Sequence, residues 1–234
     1  MLRRIAPLVT TGVLLIMAAY SSVTLLTDQQ FAPSAGYDFA IYRDAAARWL
    51  HGGFYYYPEQ VAGPYYTLSG HVMYPPPTLL LFLPFTLLPA VLWWTVPLGI
   101  VAWRLWALRP SPWGWAGIAA CLAWPMTVEL VYTGNPLLWI VAALALATRW
   151  PWMSVLILAK PSLLPFALFG MRHRRWWLAL GASAIVSALF LPMWPDWIRA
   201  VLNARGPFSG PLYGLKDVPM MAIPLLAYGA RTRT

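Results

Sequence analysis

The chain has 234 residues, 60% hydrophobic and only 10% charged, with sixteen Lys and Arg against seven Asp and Glu for a formal charge of +9. Soluble domains run at roughly 45–50% apolar and about 25% charged, so too few polar side chains remain to cover a water-facing surface, which excludes a soluble globular enzyme and equally a disordered chain. Fifteen Trp, twelve Tyr and twenty-three Pro suit an all-α, polytopic membrane bundle, because aromatic rings favour the headgroup zone and packed neighbours satisfy the backbone groups that Pro frees.

Arg3 and Arg4 precede an apolar stretch that begins at Ile5 and runs past Ala18-Ala19, further than the core of a cleaved signal peptide. Residues 5–27 therefore read as an uncleaved first span with a cytoplasmic N-terminus. Residues 28–77 form the longest polar section and are expected outside, with one amphipathic helix over 37–51 ended by Gly52-Gly53. Phe39, Tyr42, Ala46, Trp49 and Leu50 share a face of it, suited to lying on the membrane surface, and Asp44 and Arg48, four apart, are spaced to pair.

The next apolar run, 77–108, exceeds the ~20 residues that cross a bilayer and is interrupted by Pro84, Pro89 and Pro97. The pattern predicts a short broken helix near 78–88 and a span near 90–108 whose far end, with Arg104 and Arg109, is cytoplasmic. Trp113 to Tyr132 returns outward, Gly134-Asn135-Pro136 makes a tight external turn, and Leu137 to Thr148 comes back to Arg149. If 152–171 crossed fully, Arg172, Arg174 and Arg175 would face outside, against the positive-inside rule. A re-entrant hairpin broken near Lys160-Pro161 keeps Arg149 and the Arg cluster on one side. Trp176 to Leu191 then leads outward, residues 192 to about 218 form a second external segment, and 219–230 is a last short apolar stretch. The expectation is one transmembrane domain over 1–234, with five or six spans, a hairpin and an external helix. The scarce charges are sorted accordingly. Short-loop Arg residues mark the cytoplasmic side, and six of the seven carboxylates (Asp28, Asp38, Asp44, Glu59, Asp196 and Asp217) read as external.

In a soluble protein a charge of +9 would suggest nucleic acid. Here the cations occupy short connectors where they set topology, and no nucleic-acid partner is expected. Cys121, the one cysteine, allows neither an intrachain disulfide nor a Cys-based metal site.

Among residues that carry chemistry, Asp38 sits at the start of the external helix with no cation at helical spacing except Arg43. It reads as a first-turn carboxylate near the positive end of the helix dipole or as a functional group. Tyr55-Tyr56-Tyr57, Tyr65-Tyr66 and His71-Val72-Met73-Tyr74 read as interfacial anchors, a solvated His or platforms for sugar rings. Lys160, inside an apolar hairpin, costs ~2.5–3.5 kcal/mol on insertion scales and either snorkels or serves a site. Glu129 reads as an interhelical contact or as facing an external cavity. Gly-rich phosphate loops, His-Glu-x-x-His, Gly-x-Ser-x-Gly and Asp-x-Asp are all absent from the sequence.

The run YDFAIYRDAAARWLHGG, the Tyr-rich stretch and HVMYPPPTLLLFLPFTLLP together resemble the start of the polyprenyl-phosphate-sugar-dependent glycosyltransferases of GT-C fold. The similarity is to glycosyltransferase family 87, which includes actinobacterial α-1,2-mannosyltransferases. The later TGNPLLWIVAALALA and LILAKPSLLPFALFGMRHRRWW resemble that family's turn and Lys-Pro hairpin segments, so the likeness covers roughly residues 37–177. It implies a GT-C-like helical bundle in a bacterial plasma membrane, acting on the outer face. A sugar, mannose in first place and arabinofuranose in relatives, would move from polyprenyl phosphate to a glycolipid or glycan acceptor with inversion. It also implies Asp38 as the base, with Lys160 and an outer Arg such as Arg205 offering positive charge to the leaving phosphate. Tyr42, Arg43, His71 and Tyr74 would line the sugar pocket. No resident cofactor follows, and a divalent cation is left open. Members of the family are usually much longer, so the expectation extends to a truncated product, one half of a split enzyme or an inactive paralogue. The competing class of function is a transporter or flippase for a lipid-linked intermediate.

Overall fold

The computed structural model describes residues 2–27, 35–67, 71–206 and 215–232; Asp28 and part of the second external segment lie outside them. The described chain is helical almost throughout. Its helices are α1 (Leu2–Thr27), α2 (Tyr37–Leu50), α3 (Pro58–Ala62), α4 (Leu79–Phe82), α5 (Val91–Leu108), α6 (Pro112–Ala123), α7 (Pro125–Thr133), α8 (Leu137–Ala147), α9 (Leu164–Ala167), α10 (Arg174–Ala188), α11 (Trp194–Asn203) and α12 (Val218–Gly229). Strand among the described residues is limited to a parallel two-residue pair, β1 (Tyr65–Tyr66) with β2 (Ala204–Arg205), and an isolated bridge between Pro110 and Arg231.

The centre of the bundle is α8. Its sequence, LLWIVAALALA, is apolar on every side, and Leu137, Leu138, Leu144 and Ala145 are fully enclosed; a helix apolar all round has nowhere to go but the interior. It packs against α5, α7, α12 and the 3₁₀ segment Pro151–Ala159. Small residues elsewhere let helices approach closely. Gly114 of α6 faces Ala230 so tightly that an added Cβ would lie 2.6 Å from the alanine methyl.

Two helices, through Ile5–Thr24 and Val91–Leu108, are long and apolar enough to cross a membrane, and up to four if each of two bent pairs counts as one. By length and composition of single helices among the described residues, that is fewer than the five or six spans expected from hydropathy. The stretch read as one crossing from Trp113 to Tyr132 is two helices, α6 and α7, meeting at 65° where Trp124-Pro125 breaks the ladder. The apolar stretches α8 and α12 have 11 and 12 residues, about 16–18 Å of helix, short of a ~30 Å hydrocarbon layer.

The segment 152–171 does form a hairpin broken at Lys160. Pro151, Pro161 and Pro165 remove backbone donors, and most of it winds as 3₁₀ rather than α-helix. Ser154 fastens the two arms: its hydroxyl donates to the Ala167 carbonyl at 2.8 Å and accepts the Gly170 N–H at 3.2 Å. Gly170 lies directly against the Pro151 carbonyl, where no Cβ fits, so the segment ends at the level where it began.

The cations gather at that level. Arg104 Nη2 donates to Thr148 Oγ1 at 3.0 Å, and the Arg149 guanidinium lies 4.9 Å from the Trp150 ring and 5.8 Å from Trp103. The Arg109 carbonyl accepts from Thr232. The C-terminal ends of α5, α8 and α12 and both ends of the hairpin therefore share one end of the bundle, and the hairpin tip at Lys160 points to the other.

Helix α2 has nearly the bounds the sequence predicts, closed by His51 and by Gly52 at φ 78, but most of its apolar face is covered by protein, with Leu50 at its end left exposed. Phe39, Tyr42, Ala45 and Ala46 are buried inside the protein against α4, α7 and the 3₁₀ turn Leu83–Thr86. Helical periodicity requires only that the stripe be covered, and here Phe82, Phe85, Trp93 and Trp94 cover it. Asp44 also departs from expectation, pairing with its neighbour Arg43 at 2.8 Å. Arg48 instead stacks 4.2 Å over the Tyr57 ring and donates to the Phe54 carbonyl.

Candidate active site

The site begins where α7 ends. Gly134, at φ 70, takes the left-handed conformation that closes a helix, and the Asn135 N–H returns to the Leu130 carbonyl at 2.9 Å. Two tryptophans of α5 hold this turn from outside: Trp93 Nε1 donates to the Gly134 carbonyl at 2.7 Å and Trp94 Nε1 to the Val131 carbonyl at 2.8 Å. The N-terminus of α2 is tied to the same turn by the Gly36 N–H, 3.0 Å from the Tyr132 carbonyl.

Asp38, in the first turn of α2, is thereby brought over the end of α7. Its Oδ2 accepts from Thr133 Oγ1 at 2.9 Å and from Asn135 Nδ2 at 2.7 Å, while Oδ1 accepts no hydrogen bond from a described residue. The Asn135 amide orientation is fixed by its other contacts, since Oδ1 accepts the Leu137 N–H at 3.0 Å and faces the Tyr74 hydroxyl at 3.5 Å. Tyr74 is buried, with Tyr42 against it edge-on at 5.2 Å, and Tyr42 stacks on Phe82 at 4.9 Å. The Tyr42 and Tyr74 rings are therefore joined to the Asp38 network through Asn135.

Tyr74 also reaches the second half of the site. Lys160 Nζ lies 5.9 Å from its ring and 2.5 Å from Asp217 Oδ2. Lys160 is only 7% exposed and Asp217 fully enclosed, so Lys160 does not snorkel and Asp217, read from the sequence only as an external carboxylate, is buried against it. Asp217 Oδ1 has no hydrogen-bond partner among the described residues, and the contact of Oδ2 with Nζ is close but poorly aligned. The pair is therefore held mainly by charge.

Lys216 completes the cluster, within electrostatic reach of Asp217, Lys160, Glu129 and Asp38. Burial pushes its ammonium below the usual lysine range; Asp217, Glu129 and Asp38 pull it back up and Lys160 pushes it down. Glu129 is half-buried on α7, one turn before Thr133. The Lys160–Asp217 pair and Lys216 thus lie at the end of the bundle away from the Arg cluster, with Glu129 and Asp38 within electrostatic reach of Lys216.

The other sequence candidates lie elsewhere in this network. Arg43 sits over Phe39 at 5.6 Å, beside the Asp38 turn but engaged with Asp44. His71 packs against Tyr65 at 4.8 Å and lies 3.7 Å from Glu59, on the α3 side. Arg205 turns back on its own chain, donating to the Leu202 and Ala204 carbonyls. Sequence reasoning missed Thr133, Asn135, Lys216 and Asp217 as members of the site. The signals available were the Gly-Asn-Pro turn and the Lys216-Asp217 doublet in an otherwise apolar C-terminal stretch. No group of three or more His, Cys, Asp or Glu side chains among the described residues is placed to hold a metal ion.

No family model, no curated protein and no solved structure matches the chain. The geometry of the site therefore stands by itself.

Proposed function

We propose that the protein is a membrane glycosyltransferase that moves a sugar, mannose in first place, from polyprenyl phosphate to a hydroxyl of a glycolipid or glycan on the outer face of a bacterial plasma membrane. One observation carries the reading: Thr133 and Asn135 hold Oδ2 of Asp38, and no described residue donates a hydrogen bond to Oδ1. A carboxylate fixed through one oxygen presents the other in a constant direction, which a general base requires. The acceptor hydroxyl would lose its proton to Oδ1 as its oxygen attacks the anomeric carbon from the face opposite the phosphate. The carbon–phosphate oxygen bond breaks with its electron pair going to the phosphate, so the sugar inverts.

Negative charge grows on that phosphate, and fixed cations lower the barrier where it develops. Lys160 and Lys216 are the cations on this side of the network that would answer a new anion together. Tyr42 and Tyr74, buried against each other and Phe82, would wall the site beside the carboxylate rather than offer open faces to a sugar. Arg205, bound to its own turn, takes this role only if the turn rearranges. The test is incubation of the purified chain in lipid nanodiscs with radiolabelled polyprenyl-phosphate mannose and glycolipid acceptors. Labelled product is expected; donor that remains unconsumed with every acceptor class sinks the proposal.

A buried charge pair at the tip of a broken hairpin also suits a transporter, since intramembrane charges mark substrate pathways. Movement of a labelled polyprenyl-linked sugar between leaflets, without sugar transfer, would favour that second reading.

A further inference from the structure

Helix α11 follows α10 after a bend of 74° at Leu191–Met193. Its sequence divides into three arcs when successive residues are set ~100° apart. Trp197 and Ala200 face the protein: Ala200 is fully buried, its carbonyl accepts the Tyr65 hydroxyl at 2.9 Å, and Trp197 Nε1 donates to the Met73 carbonyl at 3.0 Å. Asp196, Arg199 and Asn203 form a polar arc, with Asp196 and Arg199 3.8 Å apart at the surface and Asn203 bonded to the Gln60 and Val61 carbonyls. Ile198, Val201 and Leu202 form the third arc, and all three are exposed, Leu202 at 68%.

That apolar arc continues a larger one. On α10, Leu178, Ile185 and Leu189 are exposed, Ile185 at 72%, and Leu191 at the bend is exposed as well. An apolar stripe therefore runs along α10, turns the corner and follows α11. Trp194 sits at the corner, its indole N–H donating to the Ser187 carbonyl at 3.2 Å, where an amphipathic ring is favoured between hydrocarbon and headgroups.

We propose that α11 is an in-plane membrane helix lying on the leaflet at the Asp38 end of the bundle. Its Ile198, Val201 and Leu202 enter the acyl boundary and its Asp196–Arg199 edge stays in water. The partner is the lipid surface itself: the stripe is continuous with the exposed apolar side of α10, itself part of a pair apolar enough to cross a membrane, the 74° bend turns the chain away from the axis of α10, and a polar arc flanks the apolar one. This role, which the sequence assigned to α2, passes to α11. Through Trp197 and Met73, the residue before Tyr74, α11 fixes the Asp38–Tyr74 network at headgroup depth. The inference does not depend on the chemistry proposed above.

The experiment places an environment-sensitive fluorophore at single cysteines in a Cys121→Ala background, in the full chain reconstituted into phosphatidylcholine–phosphatidylglycerol vesicles. Ile198→Cys and Leu202→Cys are expected to be quenched most by lipids carrying a nitroxide high on the acyl chain. Ile185→Cys should respond to a nitroxide deeper in the chain, and Arg199→Cys to aqueous iodide. The proposal is overturned if positions 198 and 202 respond to iodide as position 199 does. It is also overturned if they are quenched as deeply as position 185, which makes α11 part of a crossing, or shielded from both quenchers, which makes the face a contact with protein. A labelled chain that fails to reconstitute is replaced by Val201→Cys, whose expected pattern is that of position 198.

Discussion

Asn135 Nδ2 stands 2.7 Å from Asp38 Oδ2, joining positions 97 residues apart in the chain. The two meet because the Gly36 N–H binds the Tyr132 carbonyl and Gly134 turns the chain at φ 70. The carboxylate is thus built into the junction of α2 and α7 rather than left on a loop. A merely capping carboxylate in a first helical turn would bond its own helix's N–H groups; this one bonds a side chain from each side of a distant turn.

Thr133→Val removes one donor to Asp38 and leaves the backbone unchanged. A hydrogen bond to a charged group is worth about 1.5–3 kcal/mol, and about 1.4 kcal/mol is a factor of ten in rate. Sugar transfer should fall about tenfold or more in kcat with KM for the donor little changed, while the thermal midpoint in detergent stays close to wild type. A loss confined to KM would place Thr133 in binding rather than in orienting the base.

Gly134→Ala should damage both fold and site. An added Cβ would stand 2.5 Å from Trp94 Cζ2 and 3.0 Å from Phe39 Cβ, and φ 70 is costly for any residue with a Cβ. Lower thermal stability is expected together with lost transfer. A stable, fully active variant would show that the turn is not what holds Asn135 against Asp38.

The Lys160–Asp217 pair predicts a non-additive result. Removing one partner leaves a buried charge alone, at about 3–5 kcal/mol, whereas replacing both with apolar residues is often neutral. Lys160→Met and Asp217→Leu should each lower the unfolding midpoint strongly, and the double variant should recover most of the loss. Additive losses would mean that the two groups do not form one interaction unit.

Lys216 predicts a pH dependence. Its ammonium is pushed below the ordinary value of 10.5 mainly by burial, so between the lowered native value and 10.5 the unfolded chain binds more protons than the folded one. Stability attributable to this group therefore rises with pH through that window. In Lys216→Met that contribution should vanish from the midpoint-against-pH curve; an unchanged slope would remove Lys216 as its source.

What the sequence disclosed follows the range of the interactions. The bounds of α1 and α2, the Pro-broken helix before Val91 and the hairpin break at Lys160 depend on apolar length, paired glycines and Lys-Pro, all local. The same local signals could not say what covers an apolar stripe, so α2 looked like a surface helix although Phe82, Phe85 and Trp93 enclose it. Asp38 stood out because no cation lies near it at helical spacing except Arg43. Its true partners arrive from the end of α7, and nothing in the spacing of Thr133 and Asn135 points back to α2. Asp217 reads from the sequence as one of the external carboxylates, and nothing local shows that it is enclosed against Lys160 at the hairpin tip. Hydropathy counts residues and does not see the 65° break at Trp124-Pro125, which divides the stretch it reads as one crossing into two helices.

The central claim is that Asp38 Oδ1 takes the acceptor proton, and the direct measurement is the transfer rate of Asp38→Asn against wild type in nanodiscs at saturating donor. Asparagine keeps the shape and an oxygen for Thr133 but cannot act as the base. The account predicts a fall of about 10²–10⁴-fold in kcat with an unchanged unfolding midpoint and unchanged donor binding. Transfer at the wild-type rate by a folded Asp38→Asn would contradict it.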